Sequence, residues 1–152
     1  WECDLMIFKQ GVKSNLITLR ERNTRYVIAI KNLNKTASGT ALAIISSMKK
    51  LKPHIKSITF DNGGEFTQFG LLSLQNIQTY FCDPGAPYQK GQVERTNVSL
   101  HKFIPKKSNF NTITEAQIIY ANDKLNNLPK KCLNFLTPNE AWDINLKHNR
   151  CA

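Results

Sequence analysis

Three acids in this 152-residue chain stand where a carboxylate is locally costly. Asp4 interrupts the apolar run Trp1-Glu2-Cys3-Asp4-Leu5-Met6-Ile7-Phe8. Asp61 follows the β-prone Ser57-Ile58-Thr59-Phe60 and opens the turn-forming stretch Asp61-Asn62-Gly63-Gly64-Glu65-Phe66. Glu94 comes one position after Val93, early in a helix-patterned segment. Each has a plain structural account: the exposed face of an edge strand, an Asx turn, and the favourable end of a helix dipole. Gathered in one place, they would do something else. At a separation of roughly 4 Å and an effective dielectric of about 20, each pair of carboxylates repels by about 4 kcal/mol. Such a cluster must take up protons or bind cations. Hard oxygen ligands with an incomplete shell suit Mg²⁺ or Mn²⁺. Two such ions about 4 Å apart stabilise both the attacking and the leaving oxygen at a phosphodiester.

Five of the other acids have local roles. Glu115 and Glu140 fit helix caps, Asp123 and Asp143 fall on polar helix faces, and Glu21 lies in a hairpin connection between arginines. Strand alternation puts Glu2 on the same face as Asp4. Glu2 and Glu65 are therefore candidates to support the three principal acids, with a surface or turn role as the alternative. The chain carries 21 Lys+Arg against 11 Asp+Glu, a net charge of +10. A field of that sign favours a polyanion, and nucleic acid is the commonest one. Cys3, Cys82, Cys132 and Cys151 show no finger-type spacing, which argues against zinc and for a reducing compartment. No apolar run approaches the roughly 20 residues of a membrane span, and no signal peptide is visible. The opening at Trp1, directly in strand-like sequence, suggests a piece of a longer protein.

The elements that must position these acids can be read along the chain. Residues Trp1 to Phe8, Leu16 to Arg20 and Arg25 to Lys31 read as three strands of an antiparallel meander, with a turn over Gly11 to Asn15. Ala37, Ala41, Ile44, Met48 and Leu51 recur at helical steps, and Pro53 stops that helix. A strand that follows a helix, Ser57 to Asp61, is expected to join in parallel through a crossover. A short helix over Gln68 to Leu74, a fifth strand over Thr79 to Cys82 and a loop over Asp83 to Gly91 come next. A helix from Gln92 to Ile104 then carries Val93, Leu100, Phe103 and Ile104 on its apolar stripe. Thr112 with Glu115 reads as a capping box for a helix running to Asn127, and Thr137-Pro138-Asn139-Glu140 starts another. The expectation is one α/β domain over residues 1–152. Its mixed five-stranded sheet has three antiparallel strands plus two parallel ones and is flanked by helices. In such a sheet the carboxyl end of a parallel strand, where Asp61 stands, presents functional groups.

This order of acids resembles the Asp-Asp-Glu core of integrases and transposases, whose fold is ribonuclease-H-like. Thirty-two residues lie between Asp61 and Glu94, close to the spacing of that superfamily. The resemblance is nearest to bacterial transposases of the insertion-sequence-thirty family. WECDL is similar to that family's WEGDL, ERNTRYVI to its stretch around E-R-x-T-R-Y, and DNGGEF to D-N-G-S-E-F. YFCDPGAPYQKGQVERTN resembles Y-F-C-D-P-H-S-P-W-Q-R-G-x-N-E-N-T-N, and LNNLPKKCLNFLTPNEAW resembles L-N-N-R-P-R-K-x-L-G-x-x-T-P-x-E. The likeness spans nearly the whole chain. It departs at Gly85-Ala86, where the family has His-Ser, at Tyr88 for its Trp, and at Val93 and Arg95 for the Asn on either side of the Glu.

The resemblance implies a metal-dependent polynucleotidyl transferase using two Mg²⁺ (or Mn²⁺) ions. Asp4 would bridge both ions, Asp61 would hold one and Glu94 the other. A water activated by metal would cut one strand at the element's end, and the freed 3′ hydroxyl would attack a new phosphodiester. Its partners would be DNA, as terminal inverted repeats and target, and further copies of the chain. Its place would be the bacterial cytoplasm and nucleoid, with no membrane. An N-terminal helix-turn-helix region that reads the repeats would lie outside this chain. Lys90, Arg95, His101 and Lys102 are expected to meet DNA phosphates, with Lys106, Lys107, Lys130 and Lys131 extending the track and Tyr88 stacking on a base or packing. Two other readings stay open: a non-catalytic DNA-binding or assembly module, and a plain nuclease of the same fold.

Overall fold

The computed structural model describes residues 1–8, 15–34, 36–49 and 55–150. The turn expected over Gly11 to Asn15 falls largely outside them, as do Leu51 and the helix stop at Pro53. The strands are β1 (Glu2–Met6), β2 (Asn15–Arg20), β3 (Val27–Asn32), β4 (Ser57–Phe60) and β5 (Gln78–Phe81). The helices are α1 (Ala37–Met48), α2 (Gly70–Ser73), α3 (Gly91–Leu100), α4 (Glu115–Asn126) and α5 (Pro138–Arg150). The strands form one sheet in the order β3-β2-β1-β4-β5. β1 pairs antiparallel with β2, and β2 with β3. β1 pairs parallel with β4, and β4 with β5. This is the expected mixed sheet. It also answers one alternative for Asp4, because β1 is the central strand and not an edge.

Alternation builds two cores, one on each side of the sheet. Cys3, Ile17, Leu19, Ile58 and Phe60 face α1, where Ile44 and Met48 meet them, together with Trp142 of α5. Tyr26 stacks on Trp142 with ring centroids 5.3 Å apart, and Trp1 meets that indole edge-on at 5.6 Å. Met6, Leu16, Val27 and Ala29 face the other way, onto Leu100, Phe110 and the α4 residues Ile118, Ala121 and Leu125. β3 is an edge, and an open edge invites pairing with other chains. α4 covers it with two amides one turn apart. Asn126 accepts from the Val27 N–H and donates to its carbonyl, both at 2.8 Å. Asn122 does the same for Ala29, at 2.8 and 3.0 Å.

The α4 cap differs from expectation. Thr112 ends a short 3₁₀ turn, Phe110–Thr112, so the helix starts two residues later. Thr114 forms the capping box with Gln117, and Glu115 sits in the first turn without that reciprocal bond. The α5 signal holds: Thr137 Oγ1 accepts from the Glu140 N–H at 3.2 Å, and the Glu140 carboxylate accepts from the Thr137 N–H at 2.7 Å. α3 ends at Leu100, and a turn carries the chain to Ile104, which is buried with it. No helix among the described residues is long and apolar enough to cross a membrane.

Candidate active site

Parallel register brings the first two acids together. Glu2 of β1 lies opposite Thr59 of β4, and the Thr59 N–H donates to the Trp1 carbonyl at 2.8 Å. Two residues further along both strands, on the same face, come Asp4 and the residue just past β4, Asp61. With Asn62, Lys90 and Glu94 they line one open pocket of about 470 Å³, closed on one side by the 82–86 segment.

The base of this pocket is an ion triad. Lys90 Nζ donates to Asp4 Oδ1 at 3.0 Å and to Asp61 Oδ2 at 2.8 Å. The lysine side chain is only 5% exposed, against 20% for Asp4 and 46% for Asp61. Burial pulls the Lys90 pKa down, but hydrogen bonds and charge from Asp61 and Asp4 outweigh it, and the net shift is upward. The other Asp4 oxygen accepts from Asn97 Nδ2 at 2.7 Å. Lys90, Glu94 and Asn97 are spaced by about one helical turn each, so one side of the α3 segment addresses the acids.

α3 has no side-chain cap of its own. Glu2 supplies one from the sheet. It is buried, accepts the Val93 N–H at 3.0 Å, and pairs with Arg22 Nε at 2.9 Å. A carboxylate at a helix N-terminus also meets the positive end of the dipole. Glu2 thereby fixes where α3 sits over β1, and with it Lys90 and Glu94. Its role is to hold the helix, and its carboxylate is not among the pocket-lining groups.

The loop after β4 is held just as closely. Asp61 Oδ1 accepts the Gly63 N–H at 3.0 Å, which is the Asx turn expected from the sequence. Asn62 Nδ2 donates to the Cys82 carbonyl at 2.8 Å, tying this loop to the end of β5. A Cβ on Gly63 would lie 2.9 Å from Asp61 Oδ1 and 2.9 Å from Glu65 Cδ, so a side chain there would push one or both carboxylates aside. Across the pocket, Gln89 Nε2 donates to Asp83 Oδ2 and Gln89 Oε1 accepts the Asp83 N–H, both at 2.9 Å.

The other expected residues divide. Glu94 lines the acid pocket from its exposed rim. Arg95 lies on the opposite flank of α3, in a second cleft with Arg20, Arg25 and Lys130. His101 packs edge-on against Phe8 at 6.1 Å, and its Nδ1 lies 3.2 Å from the Ile104 carbonyl. Lys102 is exposed. Glu65 is half-buried and lines a crevice beneath α1 with Phe60 and Phe66. Val93, where the resembled family has Asn, is fully buried. The bridging role of Lys90 and the contact from Asn97 were not read from the sequence. Their spacing from Glu94 along one helix side was the available signal.

The donor set suits a hard divalent ion. Two carboxylates already share one cation, the Lys90 ammonium, in a pocket with a third carboxylate on its rim. Among the described residues, no three ligand-type side chains stand close enough together to hold an ion as they are.

No family model matches the chain. It is 35% identical over 152 residues to the transposase for insertion sequence element IS4351 of Bacteroides fragilis, covering 99% of this chain and 46% of that protein. It is 33% identical over 143 residues to transposase InsI for insertion sequence element IS30A of Escherichia coli (strain K12), covering 92% and 37%. The chain thus spans less than half the length of these curated relatives. Among solved structures, the catalytic core domain of BIV integrase superposes with a TM-score of 0.73 at 23% identity, covering 100% of this chain and 97% of that one. The fold is therefore that of integrase catalytic cores, the ribonuclease-H-like fold.

Proposed function

We propose, from the premise that this chain is homologous over nearly its whole length to the IS30-type insertion-sequence transposases, that it is a catalytic core that cuts and joins DNA strands. One observation carries the reading: Asp4 and Asp61, far apart in sequence, share a single buried cation in a pocket rimmed by Glu94. Asp4, Asp61 and Glu94 would hold Mg²⁺ or Mn²⁺, which supplies Lewis-acid stabilisation of the attacking and leaving oxygens of a phosphodiester.

The chain's own residues do the rest. Asn97 fixes one Asp4 oxygen and leaves the other directed into the pocket. The Asx turn at Gly63 fixes one Asp61 oxygen in the same way. The Lys90 ammonium stands between Asp4 and Asp61, so it would compete with a divalent cation for those two carboxylates. Displaced from them, it would be available to a backbone phosphate. Glu94, on the rim, would be the third carboxylate to hold the ion. In the cell the core would act on DNA in an assembly of more than one copy, as the resemblance implies.

The same Lys90 bridge favours a second reading, a DNA-binding module whose acids are neutralised internally and do no chemistry. A strand-cleavage and strand-joining assay on element-end DNA, wild type against Glu94→Gln with Mg²⁺ or Mn²⁺, separates the readings. Cleavage and joining that both vanish in Glu94→Gln support the transposase core. Cleavage without joining identifies a nuclease, and neither activity in wild type identifies the binding module.

A further inference from the structure

α3 separates two pockets of opposite chemistry. Lys90, Glu94 and Asn97 address the acids, whereas Gln92, Arg95 and Ser99 face a small cleft of about 140 Å³ on the other side. That cleft is closed by Arg20 at the end of β2, by Arg25 in the β2–β3 connection, and by Lys130 after α4. No acid lines it. Among the described residues, none of Arg20, Arg25, Arg95 and Lys130 pairs with a carboxylate.

Three independent features make this more than a basic surface. Arg25 holds a left-handed backbone, φ 65°, which is uncommon for a residue other than glycine. Its Nη1 donates to the Arg22 carbonyl, while its Nε is buried with no partner at all. Buried guanidinium N–H groups are seldom left unpaired. Arg20 is half-buried, tethered to Gln92 Oε1 at 2.8 Å, and lies within electrostatic reach of both Arg25 and Arg95. Burial first, and then Arg25, depress its pKa against a smaller upward pull from Glu2. Burial and the charges of Arg20 and Lys102 likewise depress that of Lys130. Cations crowded and partly desolvated, with no carboxylate paired to them, form a preorganised anion site.

We infer that the cleft between α3, the β2–β3 connection and the segment after α4 is a phosphate-binding site. It takes a phosphodiester of a DNA backbone, gripped by Arg20, Arg25, Arg95 and Lys130. The assignment of DNA rests on the function proposed above; the phosphate chemistry does not. The site lies one helix-width from the carboxylates, so it holds a phosphate that is not the one being cut.

The test uses the 152-residue chain and three variants. Arg95→Gln with Lys130→Gln removes two cations from the cleft. Lys56→Gln with Lys124→Gln removes two exposed lysines elsewhere. Arg25→Asn removes the guanidinium, with its unpaired Nε, in favour of a residue that tolerates positive φ. Duplex DNA affinity is measured against salt concentration. Each phosphate contact contributes about −0.9 to the slope of log K against log salt. The cleft double variant and Arg25→Asn should each flatten the slope by up to about 0.9, the loss of one phosphate contact, and the control pair should leave it unchanged. Equal flattening by the control pair would mean a diffuse basic field and would overturn the inference. A parallel arm follows the melting temperature in inorganic pyrophosphate against chloride at matched ionic strength. If DNA fails to bind but pyrophosphate stabilises wild type and neither cleft variant, the phosphate site stands and the DNA reading falls. If neither ligand distinguishes the cleft variants from wild type, the site itself is refuted.

Discussion

Replacing Lys90 by methionine removes the ammonium and keeps the bulk of the stem, so it isolates what the charge does between the two aspartates. Hydrogen bonds to charged groups are worth about 1.5–3 kcal/mol each when both ends are sheltered. Here only one end of each is. The lysine is 5% exposed, but Asp61 is 46% exposed, and water makes up most of what Asp61 loses. Asp4, at 20% exposed, keeps Asn97 and loses more. Against this stands the desolvation of a buried ammonium, which the methionine avoids. The balance is a loss of about 2 kcal/mol at neutral pH, a fall of roughly 4–8 °C in melting temperature for a chain of this size. The pH dependence follows from the raised Lys90 pKa. A cation with a raised folded value stabilises in full below its unfolded value of about 10.4 and loses that contribution as pH rises through the folded value. The gap between the variants therefore persists from neutral pH to about pH 10 and closes above it. The assay is calorimetric melting across this range, repeated in millimolar Mg²⁺. Without the ammonium as competitor, Mg²⁺ should raise the melting temperature of Lys90→Met more than that of wild type. A variant that melts within about 1 °C of wild type at neutral pH, and that ignores Mg²⁺, would refute both the triad's energetics and the idea that lysine and metal compete for one position.

Three further outcomes are expected. Asn126→Ala leaves the Val27 N–H and carbonyl without their partners and should cost about 2–4 kcal/mol in urea denaturation, with faster aggregation from the uncovered β3 edge. Gly63→Ala pushes a methyl against Asp61 and Glu65 and should lower metal-dependent cleavage at least about tenfold, a barrier change near 1.4 kcal/mol; Gly64→Ala, where a Cβ meets nothing within 4 Å, should leave it unchanged. The Thr137 N–H and hydroxyl hold the Glu140 carboxyl below its ordinary range. A depressed carboxylate stabilises above its unfolded value of about 4.3 and loses that as pH falls through the folded value, so Glu140→Gln should flatten the acid limb of the stability curve below that pH and leave the alkaline limb alone.

Local pattern carried the strands, because alternation in Trp1 to Phe8 and in Leu16 to Arg20 sorts side chains onto the two faces that the cores occupy. It also carried the Asx turn at Asp61 and the cap at Thr137. It misplaced the α4 cap because two boxes compete two residues apart, Thr112-x-x-Glu115 and Thr114-x-x-Gln117. Burial of Phe110 and Ile113 in the core decides between them, and burial is a tertiary fact. Arg95 shows the same limit at the site. It adjoins Glu94 in sequence, but each helical residue turns about 100° from the last, so neighbours along α3 reach opposite clefts. The Lys90 bridge needed both the parallel register of β1 on β4 and the rotation of α3, and no local pattern encodes their combination.

β1 is where these relationships are joined. Its two acids are separated by one residue and so share a face, yet they act on different elements: Glu2 on the N-terminus of α3, Asp4 on the cation beside it. A one-residue slip of β1 against β4 would send both carboxylates into the core with Ile58 and Phe60 and would bring Cys3 to the helix. The register is thus protected by the cost of burying two uncompensated charges, which is larger than any single contact in the pocket. The acids that build the candidate site are also the ones that make the wrong sheet alignment untenable, so the geometry of the site and the alignment of the central strands stand or fall together.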